Sequence, residues 1–237
     1  MASNKPKITI VEWSRDLIDP NILIAYTADG GRLQLTRVKD EDLPPHRTCH
    51  CPLYATPSKL FFTLYRGKLG QIFEAISLCS RTPGMACHNS KRGNSYPQLR
   101  NFGHINCHKV ILLTFVGPRP VYGDGKKAEG DHKNGNIMDF SLDNLEWVHP
   151  SENEWRSTHV LQVLRAKSIN PADYTGTQMD HWFALFRTFG RTSATDPGTL
   201  TRVPRTITRD QLLALFHQTF LRCATTHNLA GDVYEGD

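Results

Sequence analysis

The chain has 237 residues, which is enough for one large or two small domains. Its formal net charge of +5 favours a polyanionic partner without establishing one. No stretch approaches the roughly 18 consecutive apolar residues that a membrane span needs, and the N-terminus lacks the apolar run of a secretory signal. We therefore expect a cytoplasmic or otherwise intracellular protein without a membrane partner.

The N-terminal part predicts β structure. Strand formers fill residues 8–13 and 22–38, and within the second stretch Asp29-Gly30-Gly31 has the composition of a hairpin turn. Residues 39–58 contain four prolines and are expected to be irregular. Farther along, residues 59–65 predict a strand, 70–78 a short helix and 80–96 a loop.

A zinc site is one possible interpretation of a histidine and cysteine cluster in this part of the chain, formed by His46, Cys49, His50 and Cys51. The sequence contains no C-x-x-C pair, however, and that spacing is the usual start of a structural zinc site. We therefore expect no structural zinc. A zinc-stabilised interaction module stays open as an alternative that metal analysis of the purified protein would test.

The middle of the chain alternates short elements with loops. Residues 96–100 predict a strand, and the apolar stretch 108–115 predicts a mostly buried helix. Residues 117–130 are rich in glycine and proline and are expected to form a loop. From Lys59 to Lys127 eleven basic residues stand against two acidic ones, a net +9 that favours binding to phosphate groups.

Residues 129–157 predict the order strand, hairpin, strand, helix. Asp131 and His132 fall near the end of the first strand, and Asn134-Gly135-Asn136 supplies the backbone freedom of a tight turn. Residues 145–149 alternate apolar and polar side chains, as a second strand does. After Pro150, the three-residue spacing of Ser151 and Glu154 predicts a capping box that starts a helix.

This order gives three side chains a chemical use. The capping box would place Asn153 at the second helical position, where its side chain can point back toward the hairpin. Asp131 and Asn153 would then offer two hard oxygen ligands, which suit Mg²⁺ or Mn²⁺ because these ions are held by few protein groups. His132 could accept a proton from an attacking water near neutral pH.

The motif resembles that of HNH endonucleases with a ββα-metal fold. The resemblance rests on Asp131-His132-x-x-Gly135-Asn136, then Asp143-Asn144-Leu145-Glu146-Trp147, then Ser151-Glu152-Asn153. It is closest to the phage and intron-associated homing type, in which Asn replaces His at the third motif position. Cys107-His108-Lys109-Val110 through Phe115-Val116 is similar to the helix that precedes the motif in these enzymes. The likeness covers roughly residues 95–157.

By position, the resemblance implies a role for each site residue. Asp131 and Asn153 would be the metal ligands, and His132 would be the general base. Asn144 would orient His132 by hydrogen-bonding to the backbone across the hairpin loop. His108 would support the site from the preceding helix.

The sequence departs from the family pattern at two places. Many relatives have an Asn-Asn pair in the loop, whereas this chain has Asp139-Phe140. Here Phe140 is expected to fill the core and Asp139 to keep a polar role. The linker over residues 117–130 is also longer than usual. We interpret Trp147 as a core residue and His149 as a bystander.

The C-terminal part predicts two amphipathic helices, over residues 179–189 and 208–221. Thr208 and Gln211 have capping-box spacing at the start of the second. We therefore expect an α+β fold: a β-rich N-terminal region (1–94) with possible DNA contacts, a central ββα-metal HNH domain (95–165) and a helical C-terminal region (166–237).

The expected function is metal-dependent hydrolysis of DNA, by nicking or double-strand cleavage, with Mg²⁺ or Mn²⁺ and no small-molecule cofactor. The alternative is a catalytically inactive protein that keeps the HNH scaffold to bind DNA. The basic side chains expected to contact the DNA backbone are Lys91, Arg92, Arg100, Lys109, Arg119, Lys126 and Lys127.

Overall fold

The computed structural model describes residues 8–47, 50–57, 60–72, 86–87, 96–99, 102, 105–191 and 206–230. It combines helices and strands, which agrees with the α+β expectation. The chain divides into two compact units. Unit 1 contains the described residues up to His132 together with Ile137–Val148, and unit 2 contains Lys133–Asn136 and the described residues from His149 onward. Among the helices in these ranges, none is both long and apolar enough to cross a membrane.

Unit 1 begins with a six-stranded antiparallel meander in which each strand pairs with its neighbours in chain order. Gly30, with φ +83°, allows the predicted turn between the second and third strands. Trp13, on the first strand, donates from Nε1 to the carbonyl of Gly67 at 3.1 Å. The first strand therefore lies near the turn between the fifth and sixth strands. The strands are β1 (Ile10–Arg15), β2 (Ile22–Thr27), β3 (Arg32–Arg37), β4 (Leu53–Ala55), β5 (Phe61–Tyr65) and β6 (Lys68–Ile72).

Two of these strands correct the sequence-based expectation. β4 lies inside the proline-rich stretch expected to be irregular, and it is short enough to fit between Pro52 and Pro57. β6 includes residues 70–72, the start of the expected helix; residues 73–78 lie outside the described residues. Arg66 and Gly67 both have positive φ, as a two-residue hairpin turn requires, and this turn returns β6 along β5.

The middle of the sheet packs against a hydrophobic core on each face, and successive residues of a strand point to opposite cores. Leu53, Ala55 and Phe61 belong to one hydrophobic core, which also receives side chains from a helix described below. Tyr54 and Phe62, their immediate neighbours, belong to a second core inside the meander.

The rest of unit 1 supplies the elements around the motif. A three-stranded sheet is formed by β7 (Ala86–Cys87), β8 (Pro97–Leu99) and β9 (Ile105–Asn106); β7 falls in the stretch expected to be a loop. α1 (Cys107–Phe115) confirms the predicted buried helix and packs on the first core. β10 (Glu129–His132) and β11 (Leu145–Val148) form an antiparallel pair.

Unit 2 is helical. Trp182 and Phe216 lie in its core with their rings stacked at 4.2 Å. The predicted capping box is confirmed: Gln211 N donates to Thr208 Oγ1 at 3.2 Å, and Thr208 N donates to Gln211 Oε1 at 2.9 Å. The helices are α2 (Pro150–Trp155), a π-helical turn (Arg156–Leu161), α3 (Gln162–Ala166), α4 (Gly176–Arg191) and α5 (Arg209–Ala230).

Candidate active site

The β10–β11 pair carries two of the predicted site residues side by side. Asp131 pairs with Glu146 and His132 with Leu145, so the two site residues occupy consecutive positions. Because side chains alternate along a strand, they leave opposite faces of the pair. His132 shares its face with Gly130, where α1 packs. Asp131 leaves the other face and is 9% exposed.

His132 is enclosed by other rings. It is 5% exposed and meets the His108 ring edge-on at 4.8 Å. Burial lowers the pKa of His132 to about 4, so the imidazole is neutral at pH 7. Its Nε2 is buried and has no hydrogen-bond partner within the described ranges. Any water that this imidazole binds would therefore have to contact Nδ1.

His108 supports His132 from α1. It is 3% exposed, and burial, followed by the proximity of His132 and Lys109, lowers its pKa to about 3. The absence of a side chain at Gly130 makes room for it, because a Cβ there would lie 2.9 Å from His108 Cδ2. His108 is thus a neutral, tightly packed ring behind His132.

Asn144 closes the loop between the two strands. It is fully buried, at the end of a 3-10 turn (Leu142–Asn144), and its Nδ2 donates to the carbonyl of Asp139 at 3.0 Å. The Asp139 carboxylate accepts from the Ser141 hydroxyl at 2.7 Å. Phe140 is 1% exposed and belongs to the first core. At the two positions that depart from the family pattern, Asp139 therefore makes a polar contact and Phe140 fills the core, as expected.

Tyr96 is a member of this site that sequence reasoning missed. Its ring stacks on His132 at 6.0 Å and tilts against His108 at 5.2 Å. Burial, followed by the charges of Asp131 and Glu129, raises the pKa of the phenol. Tyr96 is nevertheless 37% exposed. A tyrosine far upstream of the motif carries no local signal in the sequence that would have marked it.

Asn153 lies in unit 2, whereas Asp131, His132 and Asn144 lie in unit 1. It is the fourth residue of α2, not the second, because the predicted capping box is wrong. Pro150 takes the first helical position, which proline favours, and His149 becomes the N-cap. His149 Nδ1 accepts from Ser151 N at 3.2 Å. The residue interpreted as a bystander therefore starts the helix that carries Asn153.

The first turn of α2 is held by charged groups. Glu152 Oε1 accepts from Arg156 Nε at 2.7 Å and from Arg187 Nη2, on α4, at 2.5 Å. The Arg187 guanidinium also lies over the Trp155 ring at 5.1 Å. Because Glu152 immediately precedes Asn153, these contacts fix the backbone from which the predicted ligand projects.

The predicted phosphate-contacting residues fall into three groups. Lys91, Arg92 and Arg100 lie outside the described residues. Lys109 is half-buried on α1. Arg119, Lys126 and Lys127 are exposed in the segment that leads into β10.

No three His, Cys, Asp or Glu side chains gather as ligands of one ion within the described part of the chain. Cys49, one member of the His46 to Cys51 cluster, lies outside the described residues. Comparison with known proteins found no matching family model, no matching curated protein and no matching solved structure.

Proposed function

We propose that the chain is a metal-dependent DNA endonuclease of the HNH type, with a ββα-metal unit built from β10, β11 and α2. One arrangement carries the proposal: His132 is a neutral, buried imidazole at the end of β10. Asn144 holds the loop between β10 and β11 by donating a hydrogen bond to the backbone carbonyl of Asp139. That hydrogen bond is of the kind that the role implied for Asn144 requires, and the motif residues are all present.

The reaction would begin with a water on Nδ1 of His132. The imidazole takes a proton as the water oxygen forms a bond to phosphorus, and the bond from phosphorus to the 3′ oxygen breaks. The departing oxygen takes up a proton from solvent. The products are a 5′-phosphate and a 3′-hydroxyl. A pKa near 4 makes His132 a weak base, and a bound phosphate would strengthen it because negative charge favours the imidazolium form.

Asp131 and Asn153 would hold Mg²⁺ or Mn²⁺. Their carboxylate and amide oxygens are hard donors, which suit an ion held by few protein groups. When bound, the ion supplies charge stabilisation to the phosphate and the departing oxygen.

A plasmid-nicking assay tests the proposal. The wild-type chain should nick supercoiled DNA with Mg²⁺ and not with EDTA. His132→Ala should abolish nicking and leave DNA binding nearly unchanged, because it removes the base and no phosphate contact. The matched control is His217→Ala, an exposed histidine on α5, which should nick at the wild-type rate.

Two results would decide against the proposal. Equal nicking by the wild type and His132→Ala would remove His132 from the reaction. DNA binding by the wild type without metal-dependent cleavage would instead favour the alternative, a catalytically inactive protein on the same scaffold.

A further inference from the structure

The segment before β10, expected to be a plain loop, is an ordered β-hairpin. We call residues 118–128 the basic hairpin. Val121 and Lys127 form an antiparallel bridge, and Tyr122 N donates to the carbonyl of Lys126 at 2.9 Å. Its base is closed by Ala128 N, which donates to the Pro120 carbonyl at 2.8 Å. Gly125, with φ +80°, makes the turn possible.

The basic hairpin is exposed on both faces. Of residues 118–127, all but the half-buried Tyr122 are exposed, and Val121 is 63% exposed. Arg119, Lys126 and Lys127 stand against a single acid, Asp124, which gives the hairpin a net +2. Its shape is therefore set by its own hydrogen bonds, while its side chains are accessible to a ligand.

We propose that the basic hairpin enters the major groove of duplex DNA, with Lys126 and Lys127 on backbone phosphates and Val121 against base edges. The inference rests on the proposed function for its choice of partner. Paired strands lie about 4.8 Å apart before side chains are added. The major groove, about 12 Å wide, admits such a ribbon, whereas the minor groove of undistorted DNA, about 6 Å wide, is too narrow for it.

The covalent link to β10 fixes where the hairpin would contact the DNA. Asp131 is four positions after Lys127, and an extended chain covers at most about 14 Å over four residues. This corresponds to about four base-pair steps of 3.4 Å. The hairpin should therefore contact the duplex within about four base pairs of the cleaved bond and influence which sites are cut.

Binding of a fluorescent 24-base-pair DNA duplex in EDTA tests the proposal separately from cleavage. Because counterions are released on binding, each phosphate contact makes the affinity fall about 0.9 of a decade for every tenfold rise in salt concentration. Lys126→Gln with Lys127→Gln should therefore reduce the salt slope by about 2 and weaken binding about 60-fold near 0.1 M salt.

Two further variants act as controls for charge. Lys39→Gln with Lys68→Gln removes two exposed lysines, one that follows β3 and one in β6, and it should weaken binding far less than the hairpin pair. Asp124→Asn should tighten binding, because Asp124 lies 3.5 Å from the Lys126 ammonium and offsets its charge. The asparagine keeps the oxygen that accepts from Lys126 N at 3.1 Å.

Modified duplexes identify the groove. Bulky 5-substituents on pyrimidines fill the major groove and should block wild-type binding, whereas inosine for guanosine changes only the minor groove and should not. The opposite pattern, a preference for A-form RNA duplexes, or equal weakening by the two lysine pairs would overturn the proposal. If the wild type binds as expected but does not cut, the nuclease function fails while the hairpin interface stands. If the wild type does not bind DNA at all, both fail.

Discussion

Gly130 is the position in β10 where one methyl group should disturb the candidate site most. A Cβ on Gly130 would lie 2.9 Å from His108 Cδ2, 3.0 Å from Leu112 Cδ1 and 3.3 Å from His108 Nε2. His108 is 3% exposed and Leu112 is fully buried, so neither side chain can move aside into solvent. Gly130→Ala should therefore push α1 and β10 apart by several tenths of an ångström.

The expected loss of stability follows from two opposing effects. Overpacking a dense core costs about 1–3 kcal/mol. Replacing a strand glycine by alanine stabilises the fold by about 0.5–1 kcal/mol, because alanine loses less backbone entropy on folding. The net loss in the free energy of unfolding should be about 1–2 kcal/mol. Because the His108 ring meets His132 at 4.8 Å, the displacement should also lower kcat for the proposed DNA cleavage, with little change in KM.

Urea unfolding of Gly130→Ala and Gly70→Ala measures this effect. Gly70 is an exposed glycine in β6, and a Cβ there would meet nothing within 4 Å. Its substitution should leave stability unchanged or raise it slightly. If both variants unfold at the same urea concentration, β10 and α1 do not pack at the described distance, and the support of His132 by His108 must be abandoned.

Three other changes test separate parts of the molecule. Burial lowers the pKa of His108 from 6.5 to about 3, so only the unfolded chain gains this proton as the pH falls below about 6.5. The metal-free protein should lose about 2 kcal/mol of stability between about pH 7.5 and pH 5 from this residue, and urea unfolding of His108→Leu should lack that loss. Phe216→Ala should cost about 3–5 kcal/mol in thermal or urea unfolding because its ring stacks on Trp182, whereas the exposed Gln218→Ala should stay within about 0.5 kcal/mol. Asn144→Ala leaves the Asp139 carbonyl without its donor, and it should lower the free energy of unfolding by about 1–3 kcal/mol and slow the proposed nicking. Unchanged stability would mean that this hydrogen bond is not formed in solution.

The elements that the sequence predicted well are those whose signal is local. The turn at Asp29-Gly30-Gly31 and the capping box of Thr208 and Gln211 depend on a few neighbouring residues, and both occur where expected. β11 and α1 were likewise predictable from the spacing of their apolar residues.

The errors arise where distant contacts or competing local signals decide. β6 follows β5 through Arg66-Gly67, and strand pairing prevailed over a short helix-like spacing of apolar residues. At α2, Ser151 and Glu154 have the spacing of a capping box, yet Pro150 moves the cap to His149. The basic hairpin was hidden because its glycines and prolines indicate a loop and its pairing involves a single bridge.

Tyr96 lies where Asp131 and His132, neighbours on β10, could both take part in the proposed reaction. Alternation sends Asp131 and His132 to opposite faces of β10, so a group that acts with both must lie at the end of the strand, where His132 is the last residue. The Tyr96 ring stacks on His132, and its phenol responds to the charge of Asp131. The proposed reaction would therefore need its phosphate at this end of β10, beside the Tyr96 ring, which is 37% exposed.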